Sequence, residues 1–314
     1  MSHLYDTLSL VCPHILTNEP MKNHTTFHIG GPADYVVFPH NLQELVAVLS
    51  WHEQNAPQVP MCILGKGSNV LFDDDGYAGL VIITTQMQQI SLSPMSESVY
   101  QVKAECGVSL TSLAKLCGKH SPALQGLAFA YGIPGSVGGA VVMNAGAYGG
   151  EMSDVVVSVD YFDTRTQTLH TASKEAIDFA YRHSIFQDNP HLVVLSVTLQ
   201  LPVGDSHSIQ AEMTKNLTAR QQKQPIDTYN AGSVFKRPEG AYVGQMVEAC
   251  GLKGYTIGGA QVSPKHAGFI VNTGDATATH VLNLISHIQQ VIFDTYHISL
   301  VCEIKHIQNP PKKR

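Results

Sequence analysis

The sequence predicts a chain of mixed helices and strands folded as two or three domains, and three observations lead there. At 314 residues the chain exceeds what a single core usually serves. Short apolar runs bounded by turn residues alternate with stretches of helical periodicity. The character of the sequence also changes near Val203, where a long polar stretch begins. Hydrophobic residues at 44% and charged residues at 14% describe a globular protein whose surface uses many neutral polar groups. A formal net charge of -6 argues against a nucleic-acid binder, which needs a basic face to displace counterions.

Taken in order, a leader (residues 1–21) precedes His24 to Asp34, a turn leading into the strand Tyr35-Val36-Val37-Phe38-Pro39. Asn41 stands at an N-cap position, and Leu42, Leu45, Val46 and Leu49 follow at i, i+3, i+4, i+7, the spacing of a helix face. Met61 to Leu64 reads as a buried strand running into Gly65-Lys66-Gly67-Ser68-Asn69. That loop begins like a dinucleotide fingerprint, but Val70 replaces the third Gly and Phe72-Asp73-Asp74-Asp75-Gly76 follows where a helix should, so a Rossmann reading fails. What remains is a strand-to-turn segment offering N–H groups and the side chains of Ser68 and Asn69, with a plain β-turn as the alternative. No P-loop, nucleophile elbow or HExxH motif occurs.

Leu80 to Ile83 is a further strand, Ser91 to Ser98 a polar connection, and Val99 to Glu105 alternates as a half-buried strand. Ser109 stands as the cap of a helix reaching Cys117. The segment Leu127 to Gly150 then carries more Gly than any other window and no charged side chain. Backbone that can approach a ligand closely and turn successive N–H groups inward holds an anion without Lys or Arg, and a cofactor pyrophosphate is the obvious one. A tight turn between buried elements is the competing reading.

Asp154 to Asp163 and Leu192 to Leu201 are strand-like, with a helix around Ser173 to Ile177 between them. Pro202-Val203-Gly204-Asp205 marks a domain boundary, and a polar helix from His207 to Gln224 ends at Pro225. A shorter helix lies near Val243 to Ala249. Val281, Leu284, Ile285, Ile288, Val291, Ile292 and Thr295 form the apolar face of another. In a closing strand Leu300, Cys302 and Ile304 share one face, which sends Glu303 to the other with Val301.

Six cysteines without a CxxC pair indicate reduced thiols in a cytoplasmic protein, and the scattered sixteen His residues read as isolated surface groups rather than a metal site. No secretory signal is visible, and no apolar run reaches the roughly 18 to 20 residues that span a bilayer. Lys312-Lys313-Arg314 reads as a solvated end.

Five segments occur together in a family order: Thr26 to Asp34; Leu64-Gly65-Lys66-Gly67-Ser68-Asn69; Gly132 to Gly139 with Asn144-Ala145-Gly146-Ala147; Tyr181-Arg182-His183-Ser184-Ile185-Phe186; and Ala231-Gly232-Ser233-Val234-Phe235-Lys236-Arg237-Pro238. From about Lys22 to Lys305 the chain resembles the UDP-N-acetylenolpyruvoylglucosamine reductase (MurB) family of peptidoglycan precursor synthesis. The resemblance implies an α+β fold: an FAD-binding region of the vanillyl-alcohol-oxidase (PCMH) type over 22–202, in subdomains of about 22–90 and 91–202, a substrate-binding α+β domain over 203–305, and a tail over 306–314. It implies non-covalent FAD, NADPH as hydride donor, and a UDP-sugar enolpyruvyl ether as substrate, with neither nucleic acid nor membrane as partner. Within the family the chain resembles the shorter type, because Leu192 to Leu195 follows closely on the Tyr181-Arg182 loop.

Carried over residue by residue, the resemblance assigns Arg182 to the substrate carboxylate, Ser233 to proton donation and Glu303 to polarising the intermediate. Gly65, Lys66, Gly67, Ser68 and Asn69 fall on one side of the FAD diphosphate. Pro134, Gly135, Ser136, Gly138 and Gly139, with Asn144, Ala145, Gly146 and Ala147, fall on the other side and beside the flavin. Lys236, Lys265 and His266 are candidates for the uridine diphosphate end of the substrate. Two other classes compete: another FAD-dependent oxidoreductase of the same cofactor fold, and a nucleotide-sugar binder without turnover.

Overall fold

The computed structural model describes residues 3–309, so the basic run Lys312-Lys313-Arg314 lies outside the described residues. In chain order the elements are α1 (His3–Val11), β1 (Ile15–Pro20), β2 (Pro32–Val37), α2 (Leu42–Asn55), β3 (Met61–Leu64), β4 (Val70–Phe72), β5 (Tyr77–Ile83), β6 (Ile90–Ser96) and β7 (Val99–Glu105). Next come α3 (Leu110–Lys119), α4 (Val137–Val142), β8 (Gly146–Ala147), β9 (Gly150–Glu151), β10 (Val156–Asp163), β11 (Thr168–Ser173), α5 (Ile185–Asp188), β12 (Leu192–Pro202) and α6 (Ser206–Lys223). The last are β13 (Tyr229–Ser233), α7 (Val243–Ala249), β14 (Thr256–Ile257), β15 (Ala260–Val262), β16 (Phe269–Asn272), α8 (Ala278–Tyr296) and β17 (Lys305–Ile307). A four-stranded sheet has the order β1-β2-β5-β3.

The chain forms two compact units that do not follow one another along the sequence. One consists of residues up to Leu16, Val36–Lys66 and Val81–Ala219; the other of Thr17–Tyr35, Gly67–Leu80 and the chain from Arg220 onward. The expected boundary at residue 203 therefore differs from the observed one. Up to Ala219, α6 belongs to the first unit, where Gln210 donates to the Gly118 carbonyl (2.9 Å) and Asn216 to the Ala128 carbonyl (3.1 Å). The expected leader is also structured: α1 packs on α2 and buries Leu8 and Cys12.

The first unit is built on an antiparallel sheet of order β11-β10-β12-β7-β6. Val159, Val197 and Ala104 stand opposite one another across it and are fully buried, the result of period-2 alternation on the covered face. Asn41 caps α2 as its position predicts, its Oδ1 accepting from the Glu44 amide at 2.9 Å. Residues 173–177 do not make the expected helix; β11 runs to Ser173 and a single 3-10 turn, Glu175–Ile177, follows.

The second unit packs α7 and α8 on an antiparallel sheet of order β13-β16-β15-β14. Val281, Leu284, Ile285, Ile288 and Ile292 of α8 enter this core, as the helical spacing predicts. Residues 299–304 form no regular strand. A bridge between Phe235 and Cys302 ties this stretch to the segment after β13, and β17 just beyond it pairs in parallel with β4; the expected alternation holds, with Leu300 and Ile304 buried and Val301 exposed.

Asp74 braces the N-terminus of α8, accepting from the amides of Ala278 (2.6 Å) and Thr279 (3.0 Å) and from the Thr279 hydroxyl (2.8 Å). Burial raises its carboxyl, but these three bonds outweigh that and hold its pKa below the ordinary carboxylate value. A carboxyl depressed in the folded state contributes stability above its unfolded pKa and loses it as pH falls through the folded value. Asp74→Ala is expected to cost about 1 kcal/mol at neutral pH, with the gap to the parent closing in acid. Denaturant titrations at pH 7 and pH 3 check both statements.

Candidate active site

Within the first unit the turn Gly65-Lys66 lies against the Gly-rich segment. A side chain on Gly65 would collide with Ser136 Oγ, and Ser136 pairs with Ser109 in an isolated bridge. Ser109 stands at the N-cap of α3, but its hydroxyl makes no cap bond and instead accepts from Lys66 Nζ at 3.2 Å. The expected cap is thus redirected to hold a lysine beside the turn.

Pro134 to Gly139 leads into the short helix α4, with Ser136 Oγ accepting from the Gly139 amide. Its amides do not face outward as a set. Gly135 donates to Ile133 (2.9 Å), Val137 to Val108 (2.8 Å), Gly138 to Cys106 (2.8 Å) and Gly139 to Ser136 Oγ (3.3 Å). The expectation that this turn grips an anion through those N–H groups is corrected on that point: two of them fasten the turn to the loop after β7 and two bond within the turn itself.

The loop Gly67-Ser68-Asn69, in the second unit, behaves differently. Its three amides donate to no protein acceptor among the described residues. Gly67 has φ +61, and a side chain there would collide with the His24 carbonyl. Consecutive N–H groups at a turn can converge on a phosphate oxygen, so these residues would suit a cofactor diphosphate. Gly67→Ala is expected to lower flavin content and thermal stability together, by about 1 to 3 kcal/mol in the latter; flavin-to-protein absorbance ratios and melting curves on one preparation check it.

Ser233 ends β13 opposite Phe269, after a register shift that begins at Asn230. Asn230 Oδ1 accepts from the Gly232 amide at 2.9 Å and so shapes the turn that presents Ser233 at the surface. The Glu303 amide donates to the Val234 carbonyl (2.7 Å) and the Lys236 amide to Val301 (2.8 Å), placing Glu303 on the segment beside Ser233. Asn69 joins them, its side-chain amide donating to the Glu303 carbonyl at 3.2 Å and its own carbonyl accepting from Lys305. Ser233, Glu303 and the 67–69 loop are therefore brought together.

The substrate-end candidates separate. Lys265 Nζ donates to the Gln221 carbonyl (2.7 Å), and His266 Nδ1 accepts from the Gly268 amide (3.0 Å). Burial pushes the His266 pKa down, which keeps the ring a neutral acceptor. Both side chains are thus bonded to protein groups, whereas the Lys236 ammonium has no protein partner among the described residues.

Arg182 lies in the first unit, on the turn Ala180 to His183, which two backbone bonds close. Its φ is +55, uncommon for a residue with a side chain, and strained backbone of this kind gathers at functional sites. The guanidinium donates to the carbonyls of Gly146 (2.9 Å) and Asn144 (3.4 Å). Together with Gly146 to Glu151 and Asp154 it lines a pocket of about 390 Å³. Ala147 starts the hairpin turn at the rim, Ala145 is tied by its amide to Ala140, and the Asn144 side chain is wholly internal. Glu151 and Asp154 escape sequence reasoning; the one available signal is that they are the first charges after the uncharged Gly-rich run.

Two family models match the chain: an FAD binding domain over residues 33–172, and the C-terminal domain of UDP-N-acetylenolpyruvoylglucosamine reductase over residues 224–307. The UDP-N-acetylenolpyruvoylglucosamine reductase of Levilactobacillus brevis is 45% identical over 297 residues, covering 95% of this chain and 94% of that protein. The chain belongs to the UDP-N-acetylenolpyruvoylglucosamine reductase family. Another member of that reductase family, from Lactiplantibacillus plantarum, is 44% identical and covers 93% of each chain. The crystal structure of the Thermus caldophilus reductase superposes with a TM-score of 0.76 at 30% identity, covering 93% of this chain and 98% of that one. The α+β fold with an FAD-binding region, expected from the resemblance, is the fold of this reductase. No helix among the described residues is long and apolar enough to cross a membrane.

Proposed function

We propose that this protein is the cytoplasmic, NADPH-dependent flavoenzyme that reduces the enolpyruvyl ether of UDP-N-acetyl-3-O-(1-carboxyvinyl)-glucosamine to UDP-N-acetylmuramate. One observation carries the assignment of chemistry: Ser233 and Glu303 sit on adjoining segments next to a loop whose three amides have no protein acceptor among the described residues. When bound, FAD supplies hydride taken from NADPH. The rest of the reaction falls to the chain's own groups.

Hydride arriving at the terminal vinyl carbon leaves negative charge on the carbon that bears the carboxylate. The Arg182 fork pairs with the carboxylate oxygens as that charge spreads into them. Ser233 Oγ–H gives its proton to the charged carbon. A serine hydroxyl is a weak acid, and it serves here because the acceptor is a strongly basic carbanionic centre. Glu303 polarises the intermediate from the neighbouring segment, and Lys236 meets the diphosphate of the nucleotide sugar.

Purified protein is expected to be yellow, to lose its flavin absorbance on adding NADPH without oxygen, and to recover it on adding the enolpyruvyl nucleotide sugar. Bleaching without recovery would point to another oxidoreductase of the same cofactor fold. Absence of flavin would point to a nucleotide-sugar binder.

A further inference from the structure

Asn144 has a relative exposure of 0%, and every polar atom of its side chain is bonded inside the protein. Its Oδ1 accepts from the Ser153 amide (3.0 Å), while its Nδ2 donates to Glu151 Oε1 (2.9 Å) and to the Ala180 carbonyl (3.0 Å). With its side chain so engaged, Asn144 can face a cofactor only through its backbone. That backbone is bent to φ +42, and its carbonyl accepts from Arg182 Nη1.

The two ends of this residue therefore hold the same neighbour. The side-chain amide grips Ala180, the residue whose amide and carbonyl close the turn carrying Arg182. The main-chain carbonyl, together with that of Gly146 two residues on, grips the guanidinium at the tip of that turn. Glu151 fixes the amide in turn, since its Oε1 also accepts from the Ser153 hydroxyl (2.6 Å) and so favours an Asn144 rotamer with Nδ2 toward Ala180. A second brace, Gln187 Nε2 to the Arg182 carbonyl (2.8 Å), holds the far side of the turn.

We propose that Asn144 is a positioning residue for Arg182: it fixes the plane of the guanidinium before substrate arrives, through a clamp on both the base and the tip of the turn. The inference rests on Arg182 serving the substrate carboxylate. A fork held in advance loses less freedom when it pairs with a carboxylate, and a misplacement near 1 Å costs up to about 100-fold in rate.

Reoxidation of the NADPH-reduced holoenzyme by the enolpyruvyl nucleotide sugar, followed by stopped flow, is the test. For Asn144→Ala, reoxidation is expected to fall about 10- to 100-fold beyond any change in the NADPH-driven reduction step. In the Arg182→Lys background the same substitution is expected to add little, because its route of action is already lost. An equal loss in both backgrounds would overturn the proposal, as would a parent-like rate in Asn144→Ala while Arg182→Lys is slow. A parent-like rate in Arg182→Lys itself would instead sink the role of Arg182. Asn144→Asp keeps the oxygen that accepts from Ser153 and replaces the donor, so it is the second variant if the alanine form does not fold. Its reoxidation is expected to speed up as pH falls and the new carboxyl regains a proton to donate, relative to the parent's own pH profile; a ratio flat with pH would count against the clamp.

Discussion

Ser233→Ala is expected to bind FAD and be reduced by NADPH, yet to reoxidise with the enolpyruvyl nucleotide sugar about 10² to 10⁴ times more slowly than the parent. The size follows from the task. Removing a positioned proton donor leaves protonation of the carbanionic carbon to water that nothing holds in place. Ser233 is exposed and ends a strand, and the turn that presents it is shaped by Asn230 and the Gly232 amide rather than by the serine hydroxyl. The substitution therefore leaves the fold intact, and its effect falls on the second half-reaction. Stopped-flow traces of the two half-reactions separate these outcomes; reoxidation at the parent rate would remove Ser233 as the donor.

Arg182→Lys is expected to lose about 10²- to 10³-fold in the same half-reaction despite keeping its charge. The native fork already donates to two carbonyls, those of Asn144 and Gly146, and so stands in a defined plane, the geometry that pairing with a carboxylate requires. An ammonium is a point charge on a flexible stem and reproduces neither the plane nor the pairing. Because φ at this position is +55 and either side chain meets that strain alike, the comparison isolates head-group geometry. Near-parent turnover would take Arg182 out of the mechanism.

Much of the fold is legible in the sequence because it rests on local signals. The cap at Asn41, the apolar face of α8 and the stop at Pro225 each follow from a spacing or a residue type, and α2, α8 and α6 stand where those signals put them. The helix expected at Ser173 to Ile177 is cut to a 3-10 turn because Ser173 pairs with Ser158 of β10 and the Lys174 amide donates to the Val157 carbonyl, and partners that far along the chain leave no local trace. The interleaved units are hidden for a related reason. Composition along the chain marks the change at residue 203, but the allegiance of 17–35 and 67–80 is decided by contacts such as that of the Thr26 amide with Gly67 and of its hydroxyl with Asn230.

The site divides in the same way. Glycines at 65, 67, 135, 138 and 139 announce tight backbone, and a glycine is legible because few other residues fit. Whether its amide faces outward is not legible, since Gly138 meets Cys106 while the 67–69 amides meet no protein acceptor among the described residues. Ser109 shows the same ambiguity: a serine before a helix reads as a cap, and the lysine that diverts it lies 43 positions away.

In the proposed reaction a guanidinium, a hydroxyl and a carboxylate of this chain act on one carbon of the substrate. A crystal structure of the oxidised holoenzyme with the enolpyruvyl nucleotide sugar measures it directly. Ser233 Oγ is expected within about 3 to 3.5 Å of the carbon bearing the carboxylate, with Arg182 paired to that carboxylate and Glu303 beside it. A substrate whose carboxylate is held by other residues, with Ser233 directed away from that carbon, would contradict it.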